Sequence, residues 1–174
     1  SSQEFNTIVS TYTVPLEVAN GIRAIVISDI CLDKTFPISQ SIPDFSTSLL
    51  KIATRENATS VFILGNIVDP LCTNRVSCIK HFIQSFEDFP IPIYILTGFD
   101  DQQLYSALPP INPGSSLKFV HEPVAIISHP NKQHRIVLSH DFNNGSVASR
   151  TPFCQVIREK ATNIIQEDDF VITG

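Results

Sequence analysis

Apolar and polar positions alternate in two rhythms along this chain, and each rhythm predicts a different kind of element. Residues 7–14, Thr-Ile-Val-Ser-Thr-Tyr-Thr-Val, alternate and are rich in β-formers, which predicts a leading edge strand closed by Pro15. Residues 1–22 therefore read as an N-terminal extension or edge strand. Asn20-Gly21 turns the chain into a strand over Arg23 to Ser28. A proline-punctuated loop follows, and Asp44 with Phe45, Leu49, Ile52 and Ala53 at helical spacing predicts a capped amphipathic helix from about 44 to 56. Ser60 to Leu64 predicts a buried strand, and Ile79, Phe82, Ile83 and Phe86 mark the inner face of a second helix stopped by Pro90. Pro92 to Thr97 gives a third strand.

Beyond Pro109-Pro110 the rhythm changes. Short strands without intervening helices are predicted at Leu117 to Val120, Val124 to Ser128 and Arg135 to Ser139, with turns at Pro113-Gly114 and Pro130-Asn131, and this change points to a second sheet packed on the first. Thr151-Pro152 opens a helix with Val156, Ile157, Ala161 and Ile164 inward, proline suiting the first helical position. Asp169 to Thr173 closes as one more strand. There is no internal repeat or low-complexity segment.

Polar chemistry gathers where the apolar strands end. Ile25-Val26-Ile27 runs into Ser28-Asp29-Ile30-Cys31, Ile63-Leu64 into Gly65-Asn66-Ile67-Val68-Asp69, Ile95-Leu96 into Thr97-Gly98-Phe99-Asp100-Asp101, and Val137-Leu138-Ser139 into His140-Asp141. In an open α/β sheet the C-terminal strand ends converge on one crevice, where such folds place their ligands.

Composition narrows the class. At 174 residues the chain is long enough to bury roughly 70% of the surface its unfolded form would expose. With 43% apolar and 17% charged residues and no long polar tract, it is not a disordered segment. No apolar run reaches the length of a membrane span, and Ser1-Ser2-Gln3-Glu4 lacks the basic-then-apolar plan of a secretory signal. The chain reads as soluble, with an intracellular setting favoured. A formal charge of −5 without a Lys/Arg cluster argues against direct nucleic-acid binding, which neutralises several phosphates at once. Cys31, Cys72, Cys78 and Cys154 are too few and too scattered for a disulfide-stapled miniprotein. Free buried thiols are the preferred reading, with a Cys72 to Cys78 bridge the alternative under oxidation. Asn57-Ala58-Thr59 and Asn144-Gly145-Ser146 have the form of glycosylation acceptors in a secreted setting.

Taken together, Ser28-Asp29-x-Cys31, Gly65-Asn66-x-x-Asp69, Gly98-Phe99-Asp100-Asp101, His140 and the terminal Ile172-Thr173-Gly174 resemble the calcineurin-like metallophosphoesterase family. The resemblance covers residues 23–174, and the family's motifs run in the order D-x-H, G-D-x-x-D, G-N-H-[DE], a lone His after a strand, and G-H-x-H. It implies an α/β fold in which a two-sheet β-sandwich is flanked by helices. Because the chain ends where Gly174 would begin the last motif, the domain over 23–174 is expected to be truncated at its C-terminal end, with the closing strand covered by further sequence, a second copy or a partner.

In that family two metal ions about 3.5 to 4 Å apart are held by carboxylate, imidazole and amide ligands, one carboxylate bridging them. On the resemblance, Asp29, Cys31, Asn66 and His140 are the candidate metal ligands. Asp29 keeps the first carboxylate, but Cys31 stands for the first imidazole and offers a softer donor. Asn66 replaces the bridging aspartate, and a neutral amide cannot supply the charge that holds two dications together. Phe99 falls on the metal-binding Asn, and Asp100, the one candidate catalytic residue, falls on the His that assists the leaving group. His140 matches the lone His.

Each of these residues also has a plain structural reading. Asp29 is a ligand or a turn-forming aspartate; Cys31 is a small buried hydrophobe or a ligand. Asn66 hydrogen-bonds a turn that needs no ion; His140 is a residual ligand or a satisfied strand-end histidine. Asp69, Asp100 and Asp101 serve as loop or helix N-terminal residues, Asp101 capping a short helix through Leu104 and Leu108. His81, His121, His129 and His134 match no motif and read as surface or loop residues. The leading expectation is a metallophosphoesterase-fold domain whose dinuclear site has degenerated, holding no metal or a weakly bound Mn, Zn or Fe, and acting as a protein-binding or scaffolding module. The resemblance supplies precedents of that kind in the accessory subunits of eukaryotic replicative DNA polymerases and the phosphoesterase-like subunit of the retromer coat. The alternative is an active metal-dependent phosphoesterase with a remodelled site completed by residues beyond Gly174. A redox-sensitive Cys31 is a third reading, weakened by the lack of a basic neighbour or helix start to activate the thiol.

Overall fold

Every residue of Ser60-Val61-Phe62-Ile63-Leu64 is buried, which requires cover on both faces of the strand they form. The computed structural model describes residues 23–32, 38–96, 104, 106, 108, 110, 112, 114–120, 124–128, 135–139 and 170–173. In chain order the elements are β1 (Ala24–Ile27), α1 (Ile38–Arg55), β2 (Ser60–Leu64), α2 (Arg75–Ser85), β3 (Ile93–Leu96), β4 (Leu117–Val120), β5 (Val124–Ser128), β6 (Arg135–Ser139) and β7 (Phe170–Thr173). The architecture is mixed α/β. β1, β2, β3 and β4 form a parallel sheet in that order, and β5, β6 and β7 form a second sheet in which β6 pairs antiparallel with β5 and parallel with β7.

The period-2 geometry of strands divides the first sheet cleanly. Register places Ile25, Val61, Ile93 and Leu117 in one row and Ile27, Ile63, Ile95 and Phe119 in another. Both rows face the helices, against Leu49 and Ala53 of α1 and Cys78, Ile79 and Phe82 of α2. Phe45 lies 6.0 Å from Phe86 and 6.5 Å from Phe82, and Phe82 lies 4.8 Å from Phe86, centroid to centroid. These spacings suit offset and edge contacts between rings. The alternate positions Phe62, Leu64, Tyr94, Leu96 and Val120 turn the other way and pack with Ile136 and Leu138 of β6 and Ile172 of β7. Val26 stands on this second face at the sheet edge and is 46% exposed.

Three boundaries depart from the pattern-based expectation. α1 begins at Ile38 rather than near Asp44, so Asp44 lies inside the helix instead of capping it, and Pro43 falls within it too. Proline lacks the N–H that would bond back to Ser39, so α1 forgoes one intrahelical bond in its second turn. α2 ends at Ser85, well before Pro90. Its exit tightens into shorter bonds, Phe86 N to Ile83 O at 3.1 Å and Phe89 N to Phe86 O at 3.1 Å, which keep Phe86 and Phe89 in the core. β4 joins the first sheet beside β3 instead of opening the second; residues 97–116 are long enough for the crossover that a parallel pair demands. The expected strand over 7–14 and the expected helix after Thr151 lie outside the described residues.

The end of α1 shows how sequence sets a boundary. Asn57 adopts φ 51°, Ala58 N donates to Ala53 O at 2.9 Å and Asn57 N to Thr54 O at 3.2 Å. This is a Schellman closure with asparagine at the left-handed position. Arg23 then ties β1 to the helix exit, its guanidinium 2.9 Å from Glu56 Oε2. Arg55 reaches the other oxygen of Glu56 at 3.0 Å. The hydrogen bond from Arg55, then that from Arg23, hold the Glu56 carboxyl below the ordinary glutamate range.

Candidate functional site

β1 and β2 are parallel neighbours, so the loops that follow them leave the sheet at the same edge. Burial alternates through the first: Asp29 is exposed, Ile30 buried, Cys31 half-buried and Leu32 buried. In the second, Ile67 and Val68 are buried beside a half-buried Asn66. Ile30, Leu32, Ile67 and Val68 all belong to the helix-side core. Apolar anchors thus pull both loops down onto the sheet and leave Asp29, Cys31 and Asn66 as the polar rim.

The backbone at this rim is unusual. Asp29 (φ 52°), Cys31 (φ 48°), Gly65 (φ 74°) and Asn66 (φ 50°) are left-handed, four of the five such residues among those described. An ordinary L-residue pays roughly 1–2 kcal/mol for this conformation, and Asn and Asp pay less because their short side chains bond locally. The surrounding structure offsets the cost with inter-loop bonds: Cys31 N to Asn66 O at 3.0 Å, Leu32 N to Ile67 O at 2.7 Å and Asp69 N to Leu32 O at 3.0 Å. Leu32 and Val68 form a parallel bridge, so the two loops prolong the β1 to β2 pairing beyond the strands.

The rim side chains are joined as well. Asn66 Nδ2 donates to Asp29 Oδ1 at 2.8 Å. An ionised carboxylate only accepts hydrogen bonds, so the amide must turn its NH₂ toward Asp29, with its oxygen as the opposite arm. Asp69, the last residue of the Gly65-Asn66-x-x-Asp69 motif, is 6% exposed and has a structural task. Its Oδ1 accepts from Leu71 N at 2.8 Å and its carbonyl accepts from Cys72 N at 3.0 Å, an Asx-type turn that carries the chain toward α2.

Asp29, Cys31 and Asn66 do not by themselves fit a dinuclear metal centre. Such a centre needs a bridging carboxylate, and Asn66, which the resemblance aligns with that position, directs its amide N–H at the Asp29 carboxylate. Among the described residues no group of three or more His, Cys, Asp and Glu could hold an ion. His140 and Asp100, and with them Phe99 and Asp101, lie outside the described residues. His81 is an exposed α2 residue whose Nδ1 donates to Ser77 O at 2.7 Å. The structure therefore brings together Asp29, Cys31 and Asn66 of the sequence-derived set. One feature had no direct motif signal, the left-handed run, for which Gly65-Asn66 is a partial cue because those residue types favour that region; the contact between Cys72 and Cys78 at 3.1 Å involves the pair that the sequence offered as a bridge under oxidation.

No family model and no curated protein sequence matches the chain. Among solved structures it is similar to the nuclease MPE of Pseudomonas putida, with a TM-score of 0.41 and 12% identity over 68% of this chain and 54% of that one. The chain thus spans about half the length of that nuclease.

Proposed function

We propose that this chain is a metallophosphoesterase-fold domain, a two-sheet sandwich flanked by helices, whose dinuclear site has degenerated and which serves as a protein-binding or scaffolding module with little or no hydrolytic activity. The observation that carries this reading is the 2.8 Å bond from Asn66 Nδ2 to Asp29 Oδ1. In a metal-assisted hydrolase the carboxylates at these strand ends face cations that activate water and take up the charge of the transferring phosphoryl group. Here a neutral amide satisfies the remaining carboxylate, and the left-handed turns are held by backbone bonds and core anchors. The strand-end geometry persists on protein contacts alone. Strain at such a rim favours a former or present site over chance, because local strain concentrates where function over-determines the backbone.

Calorimetric metal titration of Cys31→His combined with Asn66→Asp tests the reading. Two ligand types are regained, so affinity for Mn²⁺ or Zn²⁺ should rise over the unaltered chain while hydrolysis stays poor. Unchanged affinity would mean that these two positions do not correspond to ligand positions, and the assignment would fail.

A further inference from the structure

We infer that Cys72 and Cys78 are a dithiol pair that closes to a disulfide, a modification site independent of the rim chemistry and of the functional reading above. Their sulfurs lie 3.1 Å apart. A disulfide requires about 2.05 Å between sulfurs, so closure asks for about 1 Å of sulfur movement. The two thiols arrive by different routes. Cys72 ends the turn organised by Asp69, its N–H bonded to the Asp69 carbonyl at 3.0 Å. Cys78 sits in the opening turns of α2, its N–H bonded to Asn74 O at 3.1 Å. Both residues belong to the core beneath the rim, Cys72 at 7% exposure and Cys78 at 0%. A bond between them would tie the turn that follows Asn66 and Asp69 to the start of the helix.

Accessibility orders the reaction. Cys72 is the more exposed of the two residues and follows Leu71, which is 87% exposed, so it is the thiol a reagent reaches first. The co-reactant is a low-molecular-weight disulfide such as glutathione disulfide. The Cys72 thiolate attacks one of its sulfurs, forming a mixed disulfide and expelling one glutathione thiolate. The Cys78 thiolate then attacks the Cys72 sulfur and expels the second. The protein loses two protons and two electrons, and the glutathione disulfide gains both as two thiols. Cys31, on the rim, takes no part.

The test uses the full chain, reduced and then equilibrated with graded mixtures of glutathione and glutathione disulfide, acid-quenched, alkylated and mapped by mass spectrometry without reduction. A species lighter by two hydrogens is expected, with Cys72 and Cys78 in one cross-linked pair, and it should persist in Cys31→Ser and in Cys154→Ser. Cys78→Ser should instead accumulate a single glutathione adduct at Cys72. Urea unfolding should show the oxidised form favoured by on the order of 50-fold in its folded-to-unfolded ratio, as chain entropy gives for so short a loop, with no such difference in Cys72→Ser. The inference is overturned if both thiols remain alkylatable after equilibration, including in urea low enough to open only the loops. It is equally overturned if Cys72 pairs with Cys31 or Cys154, or if the native chain stops at stable mixed disulfides.

Discussion

Replacing Asn66 with aspartate changes one atom type at the rim and reverses the sign of its main interaction. In the native chain the amide donates to Asp29 Oδ1 at 2.8 Å, and a hydrogen bond to a charged group is worth about 1.5–3 kcal/mol when well sheltered. Asp29 is exposed, so the lower end applies. In Asn66→Asp that bond is lost at neutral pH and two carboxylates face each other. At about 4 Å their repulsion is about 1 kcal/mol in water and about 4 kcal/mol at an effective dielectric of 20, and exposure again selects the lower figure. A loss of about 2–3 kcal/mol at neutral pH is expected. At low pH one carboxyl of the pair holds a proton and donates it to the other, so the variant's deficit relative to the parent must grow as pH rises. Urea unfolding of the variant and the parent from about pH 4 to pH 8 measures this directly, analysed by linear extrapolation. The exchanged pair, Asp29→Asn with Asn66→Asp, restores one donor and one acceptor at positions both residue types tolerate, and should recover most of the loss. A single variant within about 0.3 kcal/mol of the parent at pH 8, or an exchanged pair no better than the single change, would refute the contact as the organiser of the rim.

Three further outcomes follow from the packing and the caps. Phe82→Ala removes a fully buried ring that packs against Phe45 and Phe86; chemical denaturation should show a loss of about 3–5 kcal/mol. Asn57→Val places a β-branched residue at φ 51° and should cost about 1–2 kcal/mol by the same assay. Glu56 has its carboxyl held low by Arg55 and Arg23, so it contributes stability above its unfolded pKa that disappears as pH falls through its folded pKa. Glu56→Gln should flatten that acidic limb by lowering stability slightly in the neutral region and leaving it unchanged below the folded pKa, a small effect because exposed pairs are weak.

How much of this was legible in the sequence depends on which force decides each feature. Ser60 to Leu64, Leu117 to Val120, Val124 to Ser128 and Arg135 to Ser139 emerge with the boundaries expected of them, because unbroken or alternating apolar runs bounded by turn residues carry a strand signal locally. The start of α1 was not legible, since Pro43 and Asp44 look like a helix entrance while the helix in fact runs through them from Ile38. Sheet membership of β4 was also hidden, for it depends on where residues 97–116 return the chain and not on the pattern of Leu117 to Val120. At the rim, a hydrogen-bonding role for Asn66 was readable from its residue type, and its amide donates to the Asp29 carboxylate. Left-handed Asp29 and Cys31 were not, because nothing in their residue types demands φ near 50°; the backbone bonds to Asn66 and Ile67 impose it. The Cys72 to Cys78 pairing was open in the sequence as the oxidised alternative, and their approach is a product of the Asp69 turn meeting α2.

The most direct test of a degenerate site is turnover. Hydrolysis of p-nitrophenyl phosphate and bis-p-nitrophenyl phosphate by this chain, with Mn²⁺, Zn²⁺ or Fe²⁺ added, should not exceed a protein-free control, because Asn66 cannot bridge two cations and is already bonded to the Asp29 carboxylate. Metal-dependent turnover above that control, abolished in Asp29→Ala, would contradict the account and identify the rim as a working phosphoesterase centre.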